Sequence, residues 1–338
     1  MKITVFGSGG WGTAIAMLLH ENQNEVTLWS NFEDEAKLLR ETRQNPLLSG
    51  VNIPEGIVIT SDFGISCEGI DVAVMATPSF ALRETAAKLK GQLKPECIVV
   101  CVSKGIEKDT SMLFSEILTE ILGNANPIVS VSGPTHAEEV SRQMPSACVA
   151  ASSDAAAATT IQDVFMNEYF RVYTSQDVIG VELGAALKNV IALCAGVCDG
   201  LGYGDNTLAM LMTRGLAEMA ELCVALGGKK DTLAGLAGLG DLIVTCTSRH
   251  SRNRRAGVLI GKGRTPEEAM KEVGAVVEGY YAANAARELS AKAGVHLPIC
   301  SEAYKVLYEN KTSTEAIKDL MSRTRKSEWS TAEEKWVI

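Results

Sequence analysis

The chain is 338 residues long, 46% hydrophobic and 22% charged, with a formal net charge of −9 at neutral pH. That length accommodates about two domains with substantial cores, and the acidic balance argues against a general nucleic-acid binder. Nine cysteines without metal-like spacing and four scattered histidines argue for reduced, mostly buried thiols and against a catalytic metal; no signal peptide or membrane span is predicted.

The first predicted strand, residues 2–6, runs straight into Gly7-Ser-Gly-Gly-Trp-Gly12. Gly7 suits a tight turn, Gly9 lets the backbone approach a pyrophosphate, and Gly12 lets the next helix pack on the strand. Thr13 to Leu19 reads as that helix, so its free N–H groups and positive dipole end would face the phosphates. An ordinary glycine turn is the competing reading, and the placement between a strand and a helix disfavours it. The second strand, 25–29, should end in an acid if the ribose 2′-hydroxyl of NAD is gripped in the usual way. It ends instead in Trp29-Ser30-Asn31, with Glu33 and Asp34 arriving later and no Arg to meet an NADP 2′-phosphate. A nicotinamide dinucleotide is expected, and the choice between NAD(H) and NADP(H) stays open.

Further strands are predicted at 57–60, 71–75, 97–102, 128–132, 146–151 and 170–173. Several are continuously apolar, as strands buried on both faces must be, and helical patterns lie between them. The pattern predicts a doubly wound, Rossmann-like parallel sheet over residues 1–180. Ligands in such sheets bind beyond the carboxyl ends of the strands, which here read Ala76-Thr-Pro78, Ser103-Lys-Gly105 and Ser132-Gly-Pro-Thr135. From about residue 180 the texture becomes helical, with patterns at 182–226, 231–237, 266–273, 278–293 and 301–320. The fold class is therefore α/β with a mainly α-helical second domain over 181–338. The Met- and Ala-rich stretch 205–226 reads either as core or as the seam of a homodimer, and the charged last dozen residues are expected to be loosely held.

Lys188 leads an otherwise apolar helix, Glu182 to Cys194. It is either a solvated lysine on an amphipathic face or one that shares a proton with a substrate hydroxyl or carbonyl, its pKa lowered by burial. The loop Gly235 to Asp241 leads into Ser248-Arg-His-Ser-Arg-Asn-Arg-Arg255, in which four arginines fall within seven residues. Guanidinium forks match phosphate oxygens, so a small phosphorylated ligand is the natural partner. A basic surface loop or a nucleic-acid patch is the competing reading, and the second is disfavoured because no aromatics are interleaved. Lys104 at a buried strand end is either merely solvated or placed to reach the same cleft, and Glu278 in Val276-Val-Glu-Gly279 is too weak a signal alone. Cys194 and Cys198, one helical turn apart in an apolar run, read as core. Gly261-Lys-Gly263 lacks P-loop spacing, and Asn310-Lys-Thr312 matches a glycosylation acceptor with nothing to suggest secretion.

Together these pieces resemble the bacterial NAD(P)-dependent glycerol-3-phosphate dehydrogenases over nearly the whole chain. The resemblance rests on seven motifs in the family order: Gly7 to Ala14, Ser103 to Ile106, Ser132 to Ala137, Gly184 to Asn189, Gly238 to Leu242, Ser251 to Arg255 and Val277 to Tyr280. It implies interconversion of dihydroxyacetone phosphate and sn-glycerol 3-phosphate by hydride transfer at C2, in the cytoplasm, supplying phospholipid synthesis. It implies Lys188 as proton donor and acceptor, with Asp241 to orient it, and Lys104, Gly133, Thr135, Lys188, Asp241, Ser251, Arg252 and Asn253 around the substrate. Beside Gly7, Gly9 and Gly12 of the turn, it places Gly10, Trp11, Asn31, Lys104, Ala137, Arg252, Val276 and Glu278 at the cofactor. Two departures stand out: Gly10 where the family often has Ser, and Asn31 where it often has a basic residue. A related two-domain 3-hydroxy acid or ketopantoate-type reductase, and a non-enzymatic nicotinamide-sensing regulator, are the alternatives. The arginine-rich loop favours phosphate over carboxylate, and a regulator does not account for Lys188 and Asp241 together.

Overall fold

A strand made wholly of apolar residues needs cover on both faces, and two such strands lie at the middle of the sheet. The computed structural model describes residues 1–325, 327 and 328. β1 (Lys2–Phe6), β2 (Glu25–Trp29), β3 (Val58–Thr60), β4 (Val72–Met75), β5 (Ile98–Cys101), β6 (Ile128–Ser132), β7 (Ser146–Ala151) and β8 (Phe170–Ser175) form one sheet, in the order β3-β2-β1-β4-β5-β6-β7-β8. Every residue of β4 and β5 is buried. The sheet is covered by α1 (Gly10–Glu21), α2 (Glu33–Thr42), α3 (Phe63–Cys67), α4 (Leu82–Leu89), α5 (Phe114–Leu122), α6 (Ala137–Val140) and α7 (Ala155–Phe165). Side-chain alternation divides the core in two: Val5, Val74 and Val100 pack with Ile15, Leu19 and Phe165 on one face. Phe6, Trp29 and Met75 pack with Leu82, Ala86 and Phe114 on the other.

The sequence pattern predicts a sheet parallel throughout, and the structure corrects this. Neighbours from β3 to β6 are parallel, but β7 runs antiparallel to β6, with Ser130 opposite Ala151 and Ser132 opposite Val149, and β8 follows β7 in parallel. Apolar runs identify buried strands without carrying their direction. The antiparallel return re-enters the sheet at the end the chain has just left. Residues 133–145, with the single-turn α6, therefore stay at the carboxyl end of β6.

The helical half comprises α8 (Val178–Gly200), α9 (Asp205–Ala225), α10 (Lys230–Ala234), a wider π-type turn over Leu236–Gly240, α11 (Asp241–Thr247), α12 (Arg252–Gly261), α13 (Pro266–Val273), α14 (Glu278–Ala293), α15 (Pro298–Tyr308) and α16 (Ser313–Met321). α8 is long and apolar enough to cross a membrane, yet 83% of its most apolar stretch is buried inside the fold, as in a core helix. α12 packs on it backbone to backbone: a Cβ at Gly196 would stand 2.0 Å from the Arg254 carbonyl oxygen, and one at Gly257 would stand 2.0 Å from that of Leu193. This glycine contact places the start of α12 beside the middle of α8.

Several predicted boundaries shift for local reasons. The pattern at 182–226 is two helices. Asp177 starts the first by accepting from the Gly180 N–H at 3.0 Å, and Gly202, at φ +81°, lies in the break. α9 buries Leu211, Met219 and Leu222 and exposes Met210 and Val224. The 301–320 pattern also divides, because Thr312 and Glu315 form a capping box that starts α16. Residues 248–255, expected as a loop, enter α12 under a Ser251 cap. Of the charged tail expected to be loosely held, residues 329–338 lie outside the described residues.

Candidate active site

β1 delivers the chain to Gly7 at φ +122°, where a Cβ would stand 2.6 Å from the Ala76 carbonyl oxygen. A Cβ at Gly12 would stand 1.9 Å from the Gly7 oxygen, so the turn is closed by backbone contact. Gly9 is different: a Cβ there meets nothing within 4 Å. α1 starts at Gly10 without a side-chain cap, which leaves the N–H groups of its first turn for a ligand. An open glycine beside uncapped amides is a cradle that fits a pyrophosphate. The Asn45 amide clamps it, donating to the Ser8 oxygen at 2.8 Å and to Thr13 Oγ1 at 2.7 Å. Trp11 Nε1 donates to the Val102 oxygen. A Cβ at Gly10 would lie 3.0 Å from the Leu47 oxygen, a physical reason for glycine where a serine is often found.

A second group of residues lies past the ends of β5 and β6. Lys188, 4% exposed on α8, donates from Nζ to Asp241 Oδ1 at 2.8 Å and to Thr245 Oγ1 at 2.7 Å. Lys104 donates to Asp241 Oδ2 at 2.8 Å and to the Gly133 oxygen at 2.9 Å. One buried carboxylate thus joins two ammonium groups. Burial acts to raise the Asp241 carboxyl, but Lys104 and Lys188 outweigh it and hold it below the usual range. Burial pushes Lys188 down to about 8, with Asp241 opposing the fall and Lys104 adding to it. Such a lysine can give or take a proton near neutral pH. Thr245 escaped the sequence reading, although it lies four residues after Asp241 on one face of α11.

Around this group the cleft holds unsatisfied polar atoms. Thr77 Oγ1, Ser132 Oγ and His136 Nε2 are buried with no hydrogen-bond partner among the described residues. Such groups are rare unless a ligand or water completes them. Burial, then the ammonium groups of Lys188 and Lys104, hold His136 below its usual pKa. Thr135 Oγ1 donates to the Gly133 oxygen. Glu278, first in α14, makes a long 3.5 Å contact with the Ser79 N–H, and burial raises its carboxyl. Val276 is half-buried just before it, and Ala137 opens α6.

The arginines do not act as one cluster. Ser251 Oγ caps α12 by accepting from the Arg254 N–H. Arg254 turns toward α8, 2.5 Å from Asp199 Oδ2. Asn253 is buried: its Nδ2 donates to Asn189 Oδ1 at 2.9 Å and its Oδ1 accepts from the Gly279 N–H at 2.8 Å. Arg252, on the first turn of α12, is exposed and forms no ion pair among the described residues. Asn31 lies exposed past β2, where Lys88 Nζ donates to its Oδ1. Exposed Phe32 and Phe80, past the ends of β2 and β4, also escaped the sequence reading, though aromatics just after strand ends are a readable signal.

Among the described residues no group of three or more His, Cys, Asp or Glu is placed to hold a metal ion. The nine cysteines are free, and all but Cys194 are fully buried.

Two family models match the chain: "NAD-dependent glycerol-3-phosphate dehydrogenase N-terminus" over residues 2–158 and the corresponding "C-terminus" over residues 177–318. A glycerol-3-phosphate dehydrogenase (NAD(P)+) of Fusobacterium nucleatum is 49% identical, covering 97% of this chain and 98% of the relative. One of Thermoanaerobacter sp. is 50% identical, covering 97% and 99%. The crystal structure of glycerol-3-phosphate dehydrogenase from Coxiella burnetii, 35% identical, superposes with a TM-score of 0.92 over 95% of this chain and 99% of that one.

Proposed function

The chain belongs to the NAD-dependent glycerol-3-phosphate dehydrogenase family, and from that premise we propose how its own residues interconvert dihydroxyacetone phosphate and sn-glycerol 3-phosphate. It is an NAD(P)-dependent oxidoreductase. The nicotinamide, when bound, supplies or accepts a hydride at C2 of the substrate. The glycine turn and the uncapped start of α1 hold the pyrophosphate, with Asn31, Ala137, Val276 and Glu278 along the rest of the dinucleotide.

Lys188 manages the proton. In reduction its ammonium protonates the carbonyl oxygen as hydride reaches the carbon; in oxidation the neutral amine takes the hydroxyl proton. Asp241 and Thr245 aim Lys188, and Lys104 shares Asp241 while facing the substrate with Gly133 and Thr135. Arg252 and the N-terminus of α12 take the phosphate, binding energy remote from the reacting carbon. The Asn253 side chain is already shared between Asn189 and Gly279, so it serves by anchoring α12 against α8 and α14 as well as by its remaining N–H groups. Residues 1–180 thus act as the dinucleotide-binding half and 181–338 as the substrate half, working in the cytoplasm.

The observation that carries this reading is the buried Lys188–Asp241–Lys104 group, which has no structural need for a second ammonium. Purified protein should oxidise NADH or NADPH with dihydroxyacetone phosphate and fail with ketopantoate or unphosphorylated dihydroxyacetone. Lys188→Ala should abolish turnover while binding of the reduced cofactor, followed by fluorescence, persists. Unchanged turnover would remove Lys188 from the mechanism.

A further inference from the structure

We propose that Lys88 reads the 2′-phosphate of the dinucleotide, so that α4 supplies the cation that β2 lacks and this chain uses NADP(H) in preference to NAD(H). The proposal rests on the glycine turn being a dinucleotide site.

Three observations carry it. First, the acids that follow β2 are mostly engaged and do not replace the missing ribose partner. Ser30, fully buried, donates to Glu35 Oε2 at 2.5 Å. Glu33 accepts from Arg40 at 2.5 Å and also from Ser61 Oγ. Asp34, exposed on the first turn of α2, has no hydrogen bond or ion pair among the described residues.

Second, an ammonium stands at the position in question, although it comes from 57 residues further along the chain. Lys88 Nζ lies 3.1 Å from Asn31 Oδ1 and 3.0 Å from Glu84 Oε1, and sits over the Trp29 ring at 5.9 Å from its centroid. Asn31 and the indole face hold the Lys88 ammonium at the strand end, where β2 itself offers no charge.

Third, the contacts that occupy Lys88 are weak ones. Glu84 is 72% exposed and Lys88 is 38% exposed, so their pairing is heavily screened, and a phosphate dianion can displace the carboxylate. Asn31 Nδ2 donates to nothing among the described residues and is available to the same phosphate. A ribose diol gains little from an ammonium, since it is carboxylates that accept from its hydroxyls. α2 carries the acids Glu33, Asp34, Glu35 and Glu41 against Lys37 and Arg40, and Arg40 is paired with Glu33, so Lys88 is the cation held at the strand end itself.

The test compares wild type with Lys88→Gln, Lys88→Arg and Asp34→Asn. Isothermal titration with adenosine 2′,5′-bisphosphate and with ADP reads the subsite independently of turnover, and KM for NADPH and NADH reads it in the reaction. Wild type should bind the bisphosphate more tightly than ADP. Lys88→Gln should weaken the bisphosphate and raise KM for NADPH about tenfold, the size of one charge-assisted contact, while leaving ADP and NADH unchanged. Lys88→Arg should restore most of the loss. Equal weakening of both ligands by Lys88→Gln, or no change in either, overturns the proposal. So does a large loss of NADH use in Asp34→Asn, which would make Asp34 the ribose acid. Failure of wild type to bind either nucleotide would instead sink the dinucleotide site itself.

Discussion

Replacing Asp241 by Asn should move the pH profile of the reaction, and the geometry sets how far. The carboxylate is 2.8 Å from each of two ammonium groups. Two unit charges at that distance attract by roughly 6 kcal/mol at an effective dielectric of ~20. Breaking a buried pair by removing one partner costs roughly 3–5 kcal/mol, so ~3 kcal/mol, or about 2 pKa units, is a conservative loss for Lys188. Asp241 opposes the fall that burial imposes, so its loss sends Lys188 from about 8 toward ~6. At about pH 7.5 the protonated fraction then drops from roughly three quarters to ~3%, a loss of ~25-fold. In the free enzyme kcat/KM for dihydroxyacetone phosphate should fall by that factor and recover as pH is lowered by about 2 units. Oxidation of glycerol 3-phosphate needs the neutral amine, so its rising limb should shift to lower pH by the same amount. Thr245→Val, which removes an acceptor without removing charge, should move the limb less. Cofactor quenching and a melting curve establish that each variant is folded. A limb that stays near pH 8 in Asp241→Asn would refute the assignment of Lys188 as the proton carrier.

Arg252→Ala should raise KM for the phosphorylated substrate at least about tenfold with a smaller effect on kcat, as expected for a lost phosphate fork. Arg254→Ala should leave KM nearly unchanged and lower stability by no more than about 1 kcal/mol, because its partly exposed pair with Asp199 is screened; steady-state kinetics and melting separate the two. Glu218 accepts from the Ile299 and Cys300 N–H groups at the start of α15, and burial raises its carboxyl from 4.5 to about 7. Its folded pKa is above the unfolded one, so its stability contribution is complete below about pH 4.5 and is lost as pH rises through about 7, a change on the order of 3 kcal/mol. Glu218→Gln should flatten that fall in chemical denaturation at about pH 5 and pH 8, and a wild type that grows more stable over this range relative to the variant would contradict it.

What was legible in the sequence is what a local requirement writes into residue type. The glycine turn is one case, because Gly7 and Gly12 meet backbone where a Cβ would stand, and only glycine is accommodated. The continuous apolar runs of β4 and β5 are another. What was not legible is set by partners far along the chain. The reversed direction of β7 leaves no mark on its composition. The arginines between residues 249 and 255 look alike in sequence, yet Arg254 belongs to Asp199, 55 residues earlier, while Arg252 is exposed with no ion pair among the described residues. Lys188 reads as either solvated or functional until Asp241 and Lys104 are seen beside it, 53 residues away from the first.

The helix that bears Lys188 also ties the two halves of the chain together, and in the proposed mechanism the two roles constrain each other. One turn and a half before Lys188, Glu182 accepts from the Ser115 N–H and hydroxyl and from Ser130 Oγ on β6, anchoring α8 to the sheet. Lys104, past β5, reaches Asp241 on α11, which in turn holds Lys188. A lysine buried this deeply would neutralise or be expelled without a counter-charge. A single carboxylate shared with a second ammonium leaves it only partly compensated, which is why burial prevails and its proton is labile near neutral pH. A closer match of one acid to one base would make a stronger ion pair and a poorer acid–base catalyst. The chain places its incomplete pairing near the strand ends and near Ser132 Oγ and His136 Nε2, buried without a hydrogen-bond partner among the described residues, which the proposed substrate would complete.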